Sequence, residues 1–211
     1  MAVNRQDVLR WLDALQKVFA ENRQQLTELD AAVGDGDLGI SLDRGFTAVQ
    51  TELSANPPVD LRAVFQNVAT TLIRTMGGTS GPLLGTFFLR AGAACAGKSE
   101  LAPADVVALF QAGVEGLQQR GKAVLGDKTM LDALLPAMDA MRGALEAGIG
   151  LGEILERAAA AAEAGMRATV SLQARKGRAS YLGERSIGHQ DAGATAAYLL
   201  LRAAAEELHH V

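Results

Sequence analysis

The sequence is poor in the residues that staple small proteins and build sheets. It has one cysteine in 211 residues, and Cys95 alone forms neither an internal disulfide nor a cysteine-based zinc site. Aromatic residues make up 4% of the chain, and no run of alternating β-branched residues closes on a hairpin turn. No apolar run reaches the ~20 residues of a membrane span; the longest approach, residues 192–201, is alanine-rich and stops at Arg202. The first residues lack a basic stretch followed by an apolar one, so no signal peptide is indicated and cytoplasmic residence is expected. Positive charge is not in excess either. Twenty Lys and Arg against 24 Asp and Glu leave a net charge of −4, which gives no electrostatic footprint for nucleic acid.

What is present is helical. Alanine is nearly a fifth of the chain, 49% is hydrophobic, and a 3.6-residue period recurs in block after block. A first helix is expected over 5–29, with Asn4 and Asp7 as N-cap and reciprocal partner and Val8, Trp11, Leu12, Leu15, Val18, Phe19 and Leu26 on one face. Further helices are expected from 39 to 56, 60 to 76, 82 to 97 with Pro82 at its first position, and from Pro103 through the next apolar stripe. The last three run over 129–145 with a kink at Pro136, over 153–173, and from 193 to the C-terminus. Short connections imply an all-α, up-and-down assembly of eight helices in one domain over 1–211.

Four connections carry more glycine and charge than a connector needs: residues 29–39, 77–82, 121–130 and 175–193. In an up-and-down bundle all four join an odd helix to an even one, so they share one end. The first holds Asp30, Asp35 and Asp37 among Gly34, Gly36 and Gly39, where tight turns let three carboxylates converge. Oxygen-only ligands suit a hard cation such as Mg²⁺; the plainer reading is a solvated acidic turn, and the EF-hand pattern does not fit. The second, Gly77-Gly78-Thr79-Ser80-Gly81-Pro82, enters a helix directly, which suits an anion or a simple cap. The fourth holds four cations and His189, which read as phosphate contacts or as a basic surface loop. His189 is as well read as a structural hydrogen-bonder as a participant, and His209 and His210 are assigned no role. Three aspartates and a nucleoside diphosphate together carry about −6, and two Mg²⁺ bring this to about −2, within reach of helix N-termini and Arg178. A metal–nucleotide site accounts for all four segments together.

Taken in order, these segments resemble the nucleotide-binding L subunits of bacterial dihydroxyacetone kinases. The resemblance rests on Leu29-Asp30 followed by Gly34-Asp35-Gly36-Asp37, on Arg44-Gly45-Phe46, on residues 77–82 with Gly85-Thr86-Phe87-Phe88, on Arg120-Gly121-Lys122, on Gly126-Asp127-Lys128-Thr129-Met130, and on residues 173–191. It implies a closed barrel of eight antiparallel helices with ADP (or ATP) and two Mg²⁺ at one end. It implies that ADP is a retained coenzyme, recharged by a phosphohistidine on a phosphotransferase-system subunit. The γ-phosphoryl then passes to dihydroxyacetone on a separate K subunit. By position, Asp30, Asp35 and Asp37 correspond to metal ligands. Leu38, Gly39, Ile40, Ser41, Thr79, Ser80, Gly121, Met130, Arg178, Asp191, Ala192 and Gly193 correspond to nucleotide contacts, with Arg178 also catalytic. Many relatives have His at Leu38, Asn at Ser41 and Pro at Ala192, so a side-chain contact is lost at 38 and the turn at 191–193 is less rigid. Rival readings are an ATP-dependent kinase of dihydroxyacetone or a four-carbon keto-sugar, and a non-catalytic Mg²⁺- or anion-binding module. A homodimer is one arrangement the sequence allows.

Overall fold

A capping box starts the chain's first helix as expected. The Asn4 side chain accepts from the Gln6 and Asp7 N–H groups at 2.7 and 3.2 Å, and the Asp7 carboxylate accepts from the Asn4 N–H at 2.7 Å. The computed structural model describes residues 2–209. Within them lie nine α-helices: α1 (Arg5–Glu21), α2 (Arg23–Ala31), α3 (Leu38–Ala55), α4 (Leu61–Thr75), α5 (Ser80–Ala94), α6 (Pro103–Gly121), α7 (Met130–Glu146), α8 (Leu151–Ala168) and α9 (Ala192–Leu208). Two 3₁₀ segments, Thr169–Ser171 and Arg178–Ser186, lie between α8 and α9.

The fold is all-helical, with two departures from the pattern in the sequence. The helix expected over 5–29 breaks at Asn22, whose Nδ2 donates to the Val18 carbonyl at 2.8 Å. A side-chain amide competing for a helical carbonyl interrupts the ladder, and periodicity does not register it. The helix expected over 153–173 ends at Ala168 and passes into the 3₁₀ turn Thr169–Ser171, and the 175–193 segment is itself partly 3₁₀ rather than plain loop. A two-residue antiparallel pairing also ties β1 (Val3–Asn4) to β2 (Glu100–Leu101), seating Val3 and Leu101 in the core.

Successive helices pack on one another from α3 to α9, and α9 returns to pack on α1 and α2. Six phenylalanines and Trp11 form one connected ring cluster across α1, α3, α4, α5 and α6, with centroids 4.8–6.3 Å apart. Burying each such ring contributes on the order of 2–3 kcal/mol. The α7–α9 side is filled instead by small and flexible residues, among them Ala133, Ala137, Ala158, Ala162, Met138 and Met141. Close approach there is literal. Pro136 has no N–H for the Asp132 carbonyl, and Gly165 of α8 seats on that oxygen, where an added Cβ would lie 2.1 Å away.

Candidate functional site

The first residues of α3, α5, α7 and α9 all face one cavity of about 500 Å³: Leu38, Ser80, Met130 and Ala192 line it, together with the preceding residues Asp37, Thr79, Thr129 and Asp191. Each helix N-terminus carries roughly half a positive charge on unpaired N–H groups. Four of them aimed at one space favour negative charge there, part of which the chain supplies itself: the Leu38, Leu131 and Ala194 N–H groups are taken by Asp30, Thr129 and Asp191. Thr79 makes no side-chain cap, so the first N–H groups of α5 remain open toward the cavity. Val33, Leu83, Leu117, Ala123 and Met130 give the same cavity an apolar wall, which suits a flat heteroaromatic group.

At one corner stand Asp30, Asp35 and Asp37, with one carboxylate oxygen from each lying within 4.8 Å of the others. Asp30 closes the end of α2 and turns its carboxylate onto the next helix, accepting from the N–H groups of Asp37 and Leu38 at 2.9 and 3.2 Å. That fixes one oxygen against the N-terminus of α3. Gly36, at φ 70°, makes the turn between them. Gly34 leaves room for this carboxylate, since a Cβ there would fall 2.6 Å from an Asp30 carboxylate oxygen. Burial raises the Asp37 carboxyl above its ordinary range, and repulsion from Asp35 and Asp30 adds to this while Arg178 opposes it. Crowded carboxylates without enough counter-charge are what a divalent cation relieves, and an all-oxygen donor set fits Mg²⁺. Arg178 reaches in from the long segment and pairs with Asp35 at 2.7 Å.

The opposite corner is built differently. The Asp132 carboxylate accepts from the Gly126 and Thr129 N–H groups at 2.6 and 2.7 Å, and Asp127 accepts from the Val124 N–H at 3.0 Å. Lys128, only 1% exposed, donates to the carbonyls of Leu172 and Ser186 at 3.1 and 2.6 Å. Asp191 caps α9 through the Ala194 N–H at 2.7 Å, and its own N–H is held by the Thr169 hydroxyl at 3.0 Å. Burial pushes the Asp191 carboxyl up to about 7; nearby Asp132 and Asp30 add to the rise, and the Ala194 N–H and Lys128 oppose it.

Of the site residues expected from the sequence, Asp30, Asp35, Asp37, Leu38, Thr79, Ser80, Gly121, Met130, Arg178, Asp191, Ala192 and Gly193 line this cavity. Gly39, Ile40 and Ser41 stand behind its rim. Gly39 seats α3 on α2, where a Cβ would meet the Arg23 carbonyl at 2.1 Å, Ser41 is buried, and Ile40 is exposed. His189 is exposed and outside the wall. Lys128 and Arg120 line the cavity unanticipated, beside Lys176, one of the four cations read from the long segment. The Gly126-Asp127-Lys128-Thr129-Met130 string was the signal for Lys128, but nothing local tells a buried lysine from a solvated one. Four acidic and four basic side chains thus share the wall: Asp30, Asp35, Asp37 and Asp191 against Arg120, Lys128, Lys176 and Arg178. Among the described residues, no helix is long and apolar enough to cross a membrane.

The chain is 40% identical over 202 residues to the ADP-binding subunit of the PEP-dependent dihydroxyacetone kinase of Escherichia coli, covering 96% of both chains. It is 39% identical over 204 residues to the corresponding subunit of PEP-dependent dihydroxyacetone kinase 1 of Listeria innocua, again covering 96% of each. Among solved structures it superposes with a TM-score of 0.75 and 26% identity on the dihydroxyacetone kinase of C. freundii in complex with AMP-PNP and Mg²⁺. That match takes in 98% of this chain and 34% of that one. A family model, the DAK2 domain, matches residues 32–206 and so takes in every segment of the cavity wall from Val33 onward. With that match and such identity along nearly its whole length, the chain belongs to the DAK2 domain family.

Proposed function

We propose that this chain is the ADP-binding subunit of a PEP-dependent dihydroxyacetone kinase, as its 40%-identical relative is named. The observation that carries the reading is the convergence of four helix N-termini and three aspartates on one cavity. In this reading residues 1–211 form one domain, a closed barrel of eight antiparallel helical columns in which α1 and α2 make a single broken column. Retained ADP is recharged by a phosphohistidine-bearing partner, and the phosphoryl group passes to dihydroxyacetone on a separate subunit. The whole assembly works in the cytoplasm.

Bound Mg²⁺ and ADP would supply the phosphoryl carrier and neutralise its charge. The chain's own part is positioning. Asp30, Asp35 and Asp37 hold the cations. Thr79, Ser80, Gly121, Met130, Ala192 and Gly193 surround the nucleotide, with Leu38, Gly39, Ile40, Ser41 and Asp191 shaping the turns on which it rests. Arg178 carries the guanidinium that stabilises the transferring phosphoryl oxygens, a bidentate task for which lysine is a poorer shape. None of these side chains is a base for a sugar hydroxyl, which is consistent with an acceptor bound on another subunit.

The test is reconstitution. The purified chain is combined with a dihydroxyacetone-binding subunit and supplied either with phosphoenolpyruvate and the phosphotransferase proteins or with ATP alone. Dihydroxyacetone phosphate is expected in the first arm, with ADP co-purifying with the chain in mass spectrometry. Product in the ATP arm alone would replace this reading with that of an ATP-dependent kinase. No product in either arm, with an empty chain, would leave only a binding module.

A further inference from the structure

Lys128 has no part in the chemistry above, yet its position carries two unfavourable features. It is a lysine with 1% of its surface exposed, and its backbone stands in the left-handed region at φ 63°. Burying an ammonium group and holding a non-glycine residue at positive φ are both costly, and such an outlier persists only where the surrounding structure gains from it. The gain lies at Nζ, whose two carbonyl partners, Leu172 and Ser186, bracket the stretch that carries Arg175, Lys176 and Arg178. Neighbouring ties run in parallel. The Arg175 N–H donates to the Asp127 carbonyl at 3.1 Å. The Ser186 hydroxyl accepts from the Ala174 N–H at 2.9 Å and donates to the Gly183 carbonyl at 2.6 Å. The Gly188 N–H donates to the Val170 carbonyl at 2.8 Å just outside the stretch. Within it the bonds are local turns such as the Ser180 hydroxyl to the Gly177 carbonyl at 2.6 Å; the stretch is largely exposed, and Gly177 and Gly183 both stand at positive φ. Arg178 nonetheless reaches Asp35 from its first 3₁₀ residue.

We propose that Lys128 is a positioning residue for nucleotide binding. Its ammonium clasps the two ends of residues 172–186 and thereby keeps Arg178 and Lys176 at the cavity. The proposal rests on the reading that the cavity holds Mg·ADP, and it assigns Lys128 no contact with the phosphates. Closing a flexible segment beforehand removes an ordering cost from the binding step, and losing the clasp returns that cost to the ligand.

Trypsin reads the clasp without any nucleotide, because Arg175, Lys176, Arg178 and Arg185 are all exposed on the stretch. In Lys128→Met, cleavage there should be at least about tenfold faster than in the wild type, and Mg·ADP should bind at least about tenfold more weakly by calorimetry. Mn²⁺ alone, followed by electron paramagnetic resonance, should bind no more weakly, since Asp30, Asp35 and Asp37 lie on other elements. Lys128→Arg keeps the charge and the donors and should stay within about threefold of wild type in all three measurements. Cleavage or Mg·ADP affinity of Lys128→Met within about threefold of wild type overturns the proposal, as does a Lys128→Met chain that does not fold, because the residue would then support the whole bundle. A wild type that fails to bind Mg·ADP counts against the nucleotide reading instead, and the trypsin comparison then decides the clasp by itself.

Discussion

The two corners of the cavity use the same residue types to opposite ends. Around α7, Asp127, Lys128 and Asp132 are buried, and each has its charge taken up by backbone groups of the same chain. Around the start of α3, Asp35 and Asp37 face one another, and the nearest cation is the largely exposed Arg178. A carboxylate satisfied by N–H groups holds shape; a carboxylate crowded by its own kind holds a place for a cation. Composition alone would not separate them. What separates them is where the hydrogen bonds go.

Removing a carboxylate from each corner should therefore have different consequences. Asp132→Ala strips the partner from two N–H groups and should lower stability by about 2–5 kcal/mol in urea denaturation. A loss below ~1 kcal/mol would mean that this corner is not the scaffold it resembles. Asp35→Asn should weaken Mg·ADP binding by more than about 100-fold, beyond what is typical of losing a group that merely supports a ligand. Its denaturation midpoint should hold or rise, since a repulsive pair is relieved. Unchanged affinity in calorimetry for both Asp35→Asn and Asp37→Asn would remove the metal assignment.

A third expected effect is one of pH. With its folded-state carboxyl pushed up to about 7 by burial, from an ordinary 3.8, Asp191 holds its proton more tightly in the folded chain than in the unfolded one. Stability should then fall as pH rises from about 4 to about 7 and level off above, because the unfolded chain releases that proton first. Asp191→Asn can still cap α9 but does not titrate. In chelator, its stability curve should lack that part of the decline. Parallel curves for the two proteins between pH 4 and 8 would show that Asp191 is not held protonated.

Much of this was legible in the sequence for local reasons. The capping box at Asn4 and Asp7, Pro103 opening α6 and the apolar stripe of α1 each depend on residues within a few positions, as do the acidic and glycine-rich segments. Their assignment to one end followed from counting helices in pairs, and it survived the break at Asn22 because α1 and α2 still deliver Asp30 to the same end. Ser41 and Gly39 were harder. A small residue near a site reads equally as ligand contact or helix packing, and only the 2.1 Å that would separate an added Cβ from the Arg23 carbonyl shows what Gly39 seats.

The sequence by itself determined that the chain is helical, where its glycine-rich turns fall, and that three aspartates crowd one of them. Periodicity, capping and glycine act over one or two turns of chain, so they can be read from neighbours. Only the tertiary structure decided that the N-termini of α3, α5, α7 and α9 meet at one cavity. It also decided that Lys128 is buried against carbonyls 44 and 58 residues away. Those outcomes depend on which distant backbone groups are left unpaired once the helices have packed, and no local pattern contains that information.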